Sequence, residues 1–203
     1  MDTASLGTAS SGLRNAVRFC RRSVRAGAFA CELATRRRWL GARDAQWIAE
    51  NLSALRGFAV DVSGPASGPV ELDGAALVMA EPSAHAALAV LAAVPFIGSV
   101  GPSLLAHGEP WWPRGPGGPV LLSTSDREEL GDLARARARI VPVAVRLTLP
   151  VRSGLGALFP VRSGVTQVQL RFGAALRLGP GGEGPDIAAT LREEIDRLLP
   201  AAA

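Results

Sequence analysis

The sequence reads AALVMAEPSAHAALAVL over residues 75–91, and this stretch decides the fold. Its first five residues form a short apolar run, which is typical of a buried strand. Pro82 and Ser83 then open an Ala-rich segment that predicts a helix to about Leu91. A buried strand that leads directly into a helix is the repeating unit of an α/β sheet.

The same alternation continues on both sides of this stretch. The alternating run Gly57–Val62 predicts a half-buried strand. Ser125 precedes Glu128 at the spacing of a capping box, which predicts a helix over about 126–137. The remaining predicted elements are strands at 120–122, 140–145 and 167–173 and a helix from Asp186. Residues 57–203 are therefore predicted to form one α/β domain, with a mostly parallel sheet flanked by helices.

The N-terminal part of the chain is different. Residues 1–11 are mostly Ser, Thr, Ala and Gly without periodicity, which predicts a flexible terminus. Residues 12–56 predict a basic segment of two helices, over about 13–38 and 43–55. In the first helix, arginines share an arc of about 100°, and apolar residues lie on another face. These arginines are Arg14, Arg18, Arg21, Arg22 and Arg25.

Charge is concentrated in this basic segment. Residues 1–56 hold ten Arg and four acidic residues, whereas the whole chain has a net charge of +4. We expect an anionic partner for the arginines. A membrane surface is the favoured partner, a solvated helix face is the main alternative, and nucleic acid is not expected because no nucleic-acid-binding fold accompanies the arginines.

Several features predict a cytoplasmic protein that lies peripherally on the inner face of the cell membrane. The start of the sequence lacks the pattern of a signal peptide. With only two cysteines, the chain is not expected to have a disulfide framework, and no apolar run is long enough to span a bilayer. Lys and Tyr are absent, which indicates a GC-rich and, we expect, bacterial genome. No metal site or cofactor motif is found.

Taken in order, these segments resemble the lysophospholipid acyltransferase family, in particular its 1-acylglycerol-3-phosphate and ornithine-lipid acyltransferases. The resemblance covers about residues 12–199. It is carried by the glycine-bounded strand at 57–64, by the strand 77–79, which in the family runs into N-H-x-x-x-x-D, and by IVPVAV at 140–145. Residues 117–127 resemble the family segment that ends in E-G-T-R, although only Arg127 of those four residues is present.

The resemblance implies an acyltransferase whose His acts as base on an acceptor hydroxyl and whose Asp orients the imidazole. Here Glu81 and Ala86 occupy those positions. A carboxylate is a poor base for an alcohol at neutral pH, since its reference pKa is about 4.3. His85 is the candidate for catalytic rescue, although the alternative is a surface histidine. Ser83 and Arg127 are the candidate substrate- or phosphate-binding residues, the alternative for Arg127 being a solvated helix start.

Trp111 and Trp112 stand beside Pro and Arg in a loop. Such a pair suits an interfacial anchor or a protein contact, and it equally suits a buried loop plug.

The resemblance and the replaced dyad together predict a catalytically impaired acyltransferase-like protein. It would bind a lysophospholipid, an acyl chain or a protein partner at an anionic membrane surface, with acyl-CoA or acyl-carrier protein as possible acyl donors. One alternative is an active acyltransferase that uses Glu81 or His85 as base. The other is a structural or interaction protein in which side chains fill the cleft.

Overall fold

A computed structural model gives the architecture of the chain. It describes residues 4–36, 42–65, 72, 74–94, 96–106, 112–114, 117–148, 165–177 and 184–199. Within its helices, the side chains of residues 4–15, 42–43 and 184–186 are not described.

Six helices and seven strands are found in these ranges. The helices are α1 (Ala4–Arg36), α2 (Ala42–Arg56), α3 (Ala84–Ala93), α4 (Pro102–Leu105), α5 (Arg127–Arg135) and α6 (Gly184–Leu198). The strands are β1 (Phe58–Ser63), β2 (Ala76–Met79), β3 (Ser99–Val100), β4 (Val120–Ser123), β5 (Arg139–Thr148), β6 (Thr166–Phe172) and β7 (Leu176–Arg177).

The strands form one mixed sheet in the order β1-β6-β5-β2-β4-β3, with β7 also paired to β5. Strands β3, β4, β2 and β5 are parallel to one another, which confirms the predicted α/β class and a largely parallel sheet. Strand β6 is antiparallel to β5, and β1 is parallel to β6.

Pro142 lies inside β5 although it has no N–H for the ladder. Its carbonyl oxygen accepts a hydrogen bond of 2.9 Å from the N–H of Gly173. Val143 of β5 pairs with Phe172 of β6, and Ile140 of β5 pairs with Leu176 of β7. Three steps along β5 therefore correspond to four steps from β6 to β7, so that side has one extra residue. This bulge stands at the position of the missing donor, which is where a sheet tolerates proline.

Helices cover both faces of the central strands. On one face, Leu77, Val141 and Leu170 belong to a core cluster with residues of α2 and α3. On the other face, Val78 and Ile140 pack against residues of α5 and α6. Every residue of β2 is therefore buried, because a strand covered on both faces has no solvated side.

Helices α1 and α2 form an antiparallel hairpin with a third, separate cluster. Phe29 packs with Ile48 and Leu55, and its ring lies 5.2 Å from that of Trp47. The guanidinium of Arg36 lies 5.1 Å above the Trp47 ring, which is a cation–π distance. The contacts use the C-terminal half of α1, so its N-terminal half extends past the end of α2.

Two predictions about helix starts are corrected. Residues 4–11 are not a loose terminus but part of α1, which continues through Gly27. Adding residues to a formed helix costs far less than starting one, and Ala and Leu favour helix. Helix α5 begins at Arg127 with Asp126 as its first cap residue, and no side chain caps it. Ser125 therefore does not form the predicted capping box.

The direction of β1 determines where α1 lies. Because β1 is parallel to β6 and β6 is antiparallel to β5, β1 begins at the edge where β2 and β5 end. Phe58 of β1 pairs with Thr166 of β6. The next residue of β6, Gln167, pairs with Thr148 at the end of β5, so β1 starts one residue beyond that end. Two strand spacings separate β1 from β5, about 10 Å. The end of α2, which precedes β1 directly, therefore lies at the level where β5 ends, about 20 Å past the end of β2 along the strand direction.

Candidate functional site

A gap in the sheet forms an open cleft at the carboxyl ends of the parallel strands. Strand β2 ends at Met79 opposite Val143, whereas β5 continues to Thr148 beside β6. Beyond Val143, no described strand pairs with the edge of β5 that faces β2. The cleft has a volume of about 520 Å³. It is lined by Met79, Ala80, Glu81, Ser83, Ala86, Val143, Ala144, Val145, Arg146, Leu147, Ile195, Asp196 and Leu199.

Most of this lining is apolar, and the charged groups are few. Glu81 and Asp196 are exposed and come from opposite walls, the first after β2 and the second from α6. Arg146 donates a hydrogen bond of 3.2 Å to the carbonyl oxygen of Leu199, at the end of α6. A cation at a helix C-terminus is favourable because the last carbonyls carry partial negative charge.

Three residues singled out from the sequence come together here. Glu81, Ser83 and Ala86 all line the cleft, so the two positions at which the resemblance expects a dyad lie in the same cleft. The Oγ of Ser83 accepts a hydrogen bond of 3.3 Å from the N–H of Ala86. Ser83 is thus the N-cap of α3, which gives it a structural role beside any contact with a ligand.

Arg127 and His85 are placed elsewhere. Arg127 is the first residue of α5; its side chain is exposed and does not line the cleft. His85 is exposed on α3 and is also absent from the lining. The prediction that Arg127 holds a phosphate in this cleft is therefore not supported by its position, and His85 does not face the place where it would act.

Trp112 is 3% exposed and belongs to the core cluster that contains α3. Trp112 is therefore too buried for the predicted membrane or partner contact, and its burial agrees with the alternative of a buried loop plug. Trp111 lies outside the described residues.

Sequence reasoning missed Arg192 and the role of Thr124. The Nε of Arg192 donates a hydrogen bond of 2.9 Å to Oγ1 of Thr124, and that hydroxyl donates to the carbonyl oxygen of Ala80. The N–H of Thr124 also donates to the carbonyl oxygen of Met79, at 2.9 Å. Helical spacing was the signal that could have pointed to Arg192, because this residue stands three and seven residues before the cleft residues Ile195 and Leu199.

A buried carboxylate lies beside the same strand ends. Asp126 is 4% exposed and accepts hydrogen bonds from the N–H of Ser103, at 2.7 Å, and from the N–H of Ser123, at 2.8 Å. The hydroxyl of Ser103 donates to it as well, at 2.8 Å. A Cβ on Gly101 would stand 2.7 Å from the Asp126 carboxyl carbon, so glycine is needed there. These bonds fasten α4 to the turn after β4.

A second open space, of about 700 Å³, is lined by α1 and by one residue of α2; we call it the arginine groove. Its lining is Arg18, Cys20, Arg21, Arg22, Val24, Arg25 and Ala28 of α1 with Ala54 of α2. Burial, and secondarily the positive charge of Arg18, lower the pKa of Arg22. Arg14 belongs to α1, but its side chain is not described.

Helix α1 also presents an apolar face to solvent. Val17 is 52% exposed and Val24 is 75% exposed. Cys20, Ala28 and Cys31 follow the same face and are exposed as well. At 100° per residue, Val24 lies about 180° from Leu33, which packs against α2. The exposed apolar face is thus opposite the hairpin contact and next to the arginines.

Two further observations concern the described residues alone. None of their helices is both long and apolar enough to cross a membrane. No group of three or more His, Cys, Asp or Glu side chains among them could hold a metal ion.

A comparison with protein-family models, with curated proteins and with solved structures finds no significant match to this chain.

Proposed function

We propose that this chain is a catalytically impaired, acyltransferase-like protein that holds a lysophospholipid or acyl chain in the cleft at an anionic membrane surface. The observation that carries the proposal is the open cleft with Glu81 and Ala86 on one wall. Its volume of about 520 Å³ suits a small ligand, since such sites are commonly 300–1,000 Å³. Met79, Val145 and Ile195 offer an apolar wall for a chain, with charged groups at the rim.

The chemistry of the wall supports impaired catalysis. A dyad needs an imidazole within reach of the acceptor hydroxyl, and no described residue of the lining is a histidine. Ala86 has no group that could orient a base. Loss of one member of such a unit commonly lowers the rate by several orders of magnitude.

The membrane part of the proposal is supported by α1. An apolar face bordered by arginines is the pattern of a helix that lies in the plane of a bilayer surface. The hairpin of α1 and α2 leads into β1 at the end of the sheet that also holds the cleft, because β1 reverses direction relative to β5. A lipid in the cleft would then enter from the end of the sheet at which the hairpin joins β1.

Ligand binding is tested by titrating a lysophospholipid into the full chain below its critical micelle concentration. Glu81→Trp combined with Asp196→Trp fills the rim, and both positions are exposed, so folding should be retained. We expect at least tenfold weaker binding. Glu193→Trp, exposed on the same helix, is the control and should bind as the unmodified chain does. Absence of binding by the unmodified chain, or equal binding by all variants, would reject the cleft.

Catalysis is tested by acyl transfer from acyl-CoA or acyl-carrier protein to lysophosphatidate. We expect no turnover above background. Turnover that disappears in Glu81→Gln would establish the alternative of an active acyltransferase with a carboxylate base. Turnover that instead disappears in His85→Ala would establish the histidine route, and either result would overturn the impaired enzyme.

Membrane contact is tested by flotation with vesicles that contain anionic lipid. Val17→Gln with Cys31→Gln removes apolar groups from the exposed face without changing charge and lies outside the arginine groove. We expect the floated fraction to fall severalfold. Ala175→Gln with Ala189→Gln changes two exposed positions elsewhere and should float normally. Equal flotation of both pairs would exclude insertion of this face.

A further inference from the structure

The main chain of β5 forms part of the cleft wall. The N–H of Gly173 donates to the carbonyl oxygen of Pro142, so these two residues form a hydrogen-bonded pair in register with the antiparallel β5–β6 ladder. Such pairs alternate with pairs that are not hydrogen-bonded, so every second residue of β5, counted from Pro142, bonds to β6. The N–H and C=O groups of Val145 and Leu147 therefore point away from β6, towards the cleft.

The parallel ladder between β2 and β5 ends before it reaches these groups. Strand β2 ends at Met79, which pairs with Val143. The carbonyl oxygen of Ala80 would be the next acceptor in this ladder, and it accepts the hydroxyl of Thr124 instead. The main-chain groups of the two half-buried residues that follow in β5 thus have no partner strand in the described chain. Unpaired groups of this kind are a template for another strand.

The shape of the cleft suits an extended chain. The start of α3 contributes Ser83 and Ala86 to its lining, and the end of α6 contributes Ile195 and Leu199. These helices cover opposite faces of the sheet, so an occupant that continues the line of β2 would lie between them. It would run beside Ala144–Thr148, which is about 17 Å of strand. A peptide offers N–H and C=O groups at the spacing that such an edge requires.

The charges of the lining favour a basic peptide. Glu81 and Asp196 are exposed, and they come from opposite walls of the cleft. The arginine of the lining, Arg146, donates to the carbonyl oxygen of Leu199. The described lining thus carries two acids and one arginine, although the whole chain has a net charge of +4. Complementary charge selects among partners.

We propose that the open edge of β5 binds an extended, basic segment of a partner protein, which joins the sheet as an added strand. Main-chain hydrogen bonds to Val145 and Leu147 hold the segment, and Glu81 and Asp196 favour Lys or Arg in it. The inference goes beyond the proposed function and does not depend on it, since an acyl chain has no groups that pair with a strand edge.

The first experiment measures amide hydrogen exchange by NMR on the full chain alone. The amides of Val145 and Leu147 should exchange at least tenfold faster than those of Ala144 and Arg146, which bond to β6. Equal protection of the two sets would show that this edge is already covered, and it would overturn the proposal.

The second experiment titrates a six-residue peptide of alternating valine and arginine, with blocked ends, into the full chain. Binding should shift the amide signals of Val145 and Leu147 and slow their exchange. Two forms of the peptide then carry N-methyl groups, on two valines or on two arginines. Successive N–H groups of an extended chain point to opposite sides, so one form should bind at least tenfold more weakly than the other. Equal binding of the two forms, or no binding of the unmethylated peptide, would overturn the proposal.

The third experiment tests the charges. Glu81→Gln combined with Asp196→Asn should weaken binding of the same peptide at least threefold. Glu128→Gln combined with Glu193→Gln removes equal charge from exposed positions outside the cleft lining and should leave binding within 1.5-fold of the unmodified chain. Equal weakening by the two pairs would overturn the preference for a basic segment.

Failure of this proposal is distinguishable from failure of the proposed function. The peptide is titrated without lipid, and the lysophospholipid is titrated without peptide. A lysophospholipid that protects the amides of Val145 and Leu147, when the peptide does not, would overturn this proposal and leave the proposed function in place. Peptide binding by a chain that binds no lysophospholipid would support the added strand and reject the lipid.

Discussion

The Nε of Arg192 lies 2.9 Å from Oγ1 of Thr124, and it donates a hydrogen bond to that hydroxyl. Thr124 is 1% exposed, and its own hydroxyl donates to the carbonyl oxygen of Ala80. One side chain thus joins α6 to the carboxyl ends of β2 and β4. In the family that the sequence resembles, a Glu stands at the position of Thr124. Here Thr124 occupies that position, and its hydroxyl holds the carbonyl of Ala80, a residue that lines the cleft.

Thr124→Val keeps the shape of the side chain and removes its hydroxyl. The Ala80 carbonyl and the Arg192 Nε then lose their partner, so we expect a loss of about 1–3 kcal/mol in the free energy of unfolding. Urea unfolding measures it. Thr148→Val at an exposed strand end should change stability by less than about 0.5 kcal/mol. Equal effects at both positions would contradict the role assigned to Thr124.

Asp126→Ala removes the carboxylate that accepts the N–H groups of Ser103 and Ser123. Both donors are left without an acceptor, and we expect a loss of about 2–4 kcal/mol in the free energy of unfolding. Asp126→Asn retains the shape and should lose less. Asp132→Ala on α5, whose ion pair with Arg135 is exposed, should cost less than about 1 kcal/mol. If denaturant unfolding gives Asp126→Ala and Asp132→Ala the same free energy of unfolding, the hydrogen bonds of Asp126 contribute nothing to stability.

Two Gly→Ala substitutions should act in opposite directions. A Cβ on Gly173 would stand 2.6 Å from Cγ of Pro142 and 3.3 Å from Cδ1 of Leu198. Overpacking of this kind should destabilise the protein by about 1–3 kcal/mol. Gly27 lies inside α1 with nothing within 4 Å, so alanine there should stabilise the helix by about 0.5–1 kcal/mol. Thermal unfolding checks Gly173→Ala, and helix protection from hydrogen exchange checks Gly27→Ala.

Phe29→Ala should release α1 while the sheet stays folded. Phe29 belongs to a cluster with Ile48 and Leu55. Its buried members are distinct from those of the two clusters that cover the sheet, and the partly buried Leu52 packs against it and against one of them. Loss of a buried Phe costs about 3–5 kcal/mol, which is enough to undock a helix held mainly by this contact. Limited proteolysis should cut α1 faster, with little change in the melting temperature of the sheet. Val24→Ala on the exposed face is the control, and faster cleavage in both variants would contradict the separate cluster.

The local pattern of the sequence determined most of the elements. Apolar runs at 75–79 and 140–145 predicted β2 and β5, and the Ala-rich stretch predicted α3. These predictions hold because the periodicity of side chains within one element follows from backbone geometry alone. The missed elements β3, α4 and β7 are two to four residues long, which is too short to carry a period.

The site was only partly predictable, because a local sequence pattern does not show contacts between distant parts of the chain. Glu81, Ser83 and Ala86 follow β2 directly, so their shared position at its carboxyl end follows from the strand itself. Arg192 belongs to a helix far along the chain, and its approach to Thr124 depends on how α6 packs. The sequence left the burial of Trp112 open, because a pair of aromatic residues in a loop has no period that indicates a buried face.

The sequence by itself determined the α/β class, the order of the longer helices and strands, and the presence of Glu81 and Ala86 just after β2, where the resemblance expects a dyad. Only the tertiary structure decided that β6 runs antiparallel to β5 and that β1 runs parallel to β6, so that β1 begins at the end of the sheet that holds the cleft. It also decided that Arg127 does not line that cleft, and that Arg192 hydrogen-bonds to Thr124, whose hydroxyl holds the carbonyl of the cleft residue Ala80. Strand direction and helix docking depend on contacts between distant parts of the chain, and local patterning does not encode them.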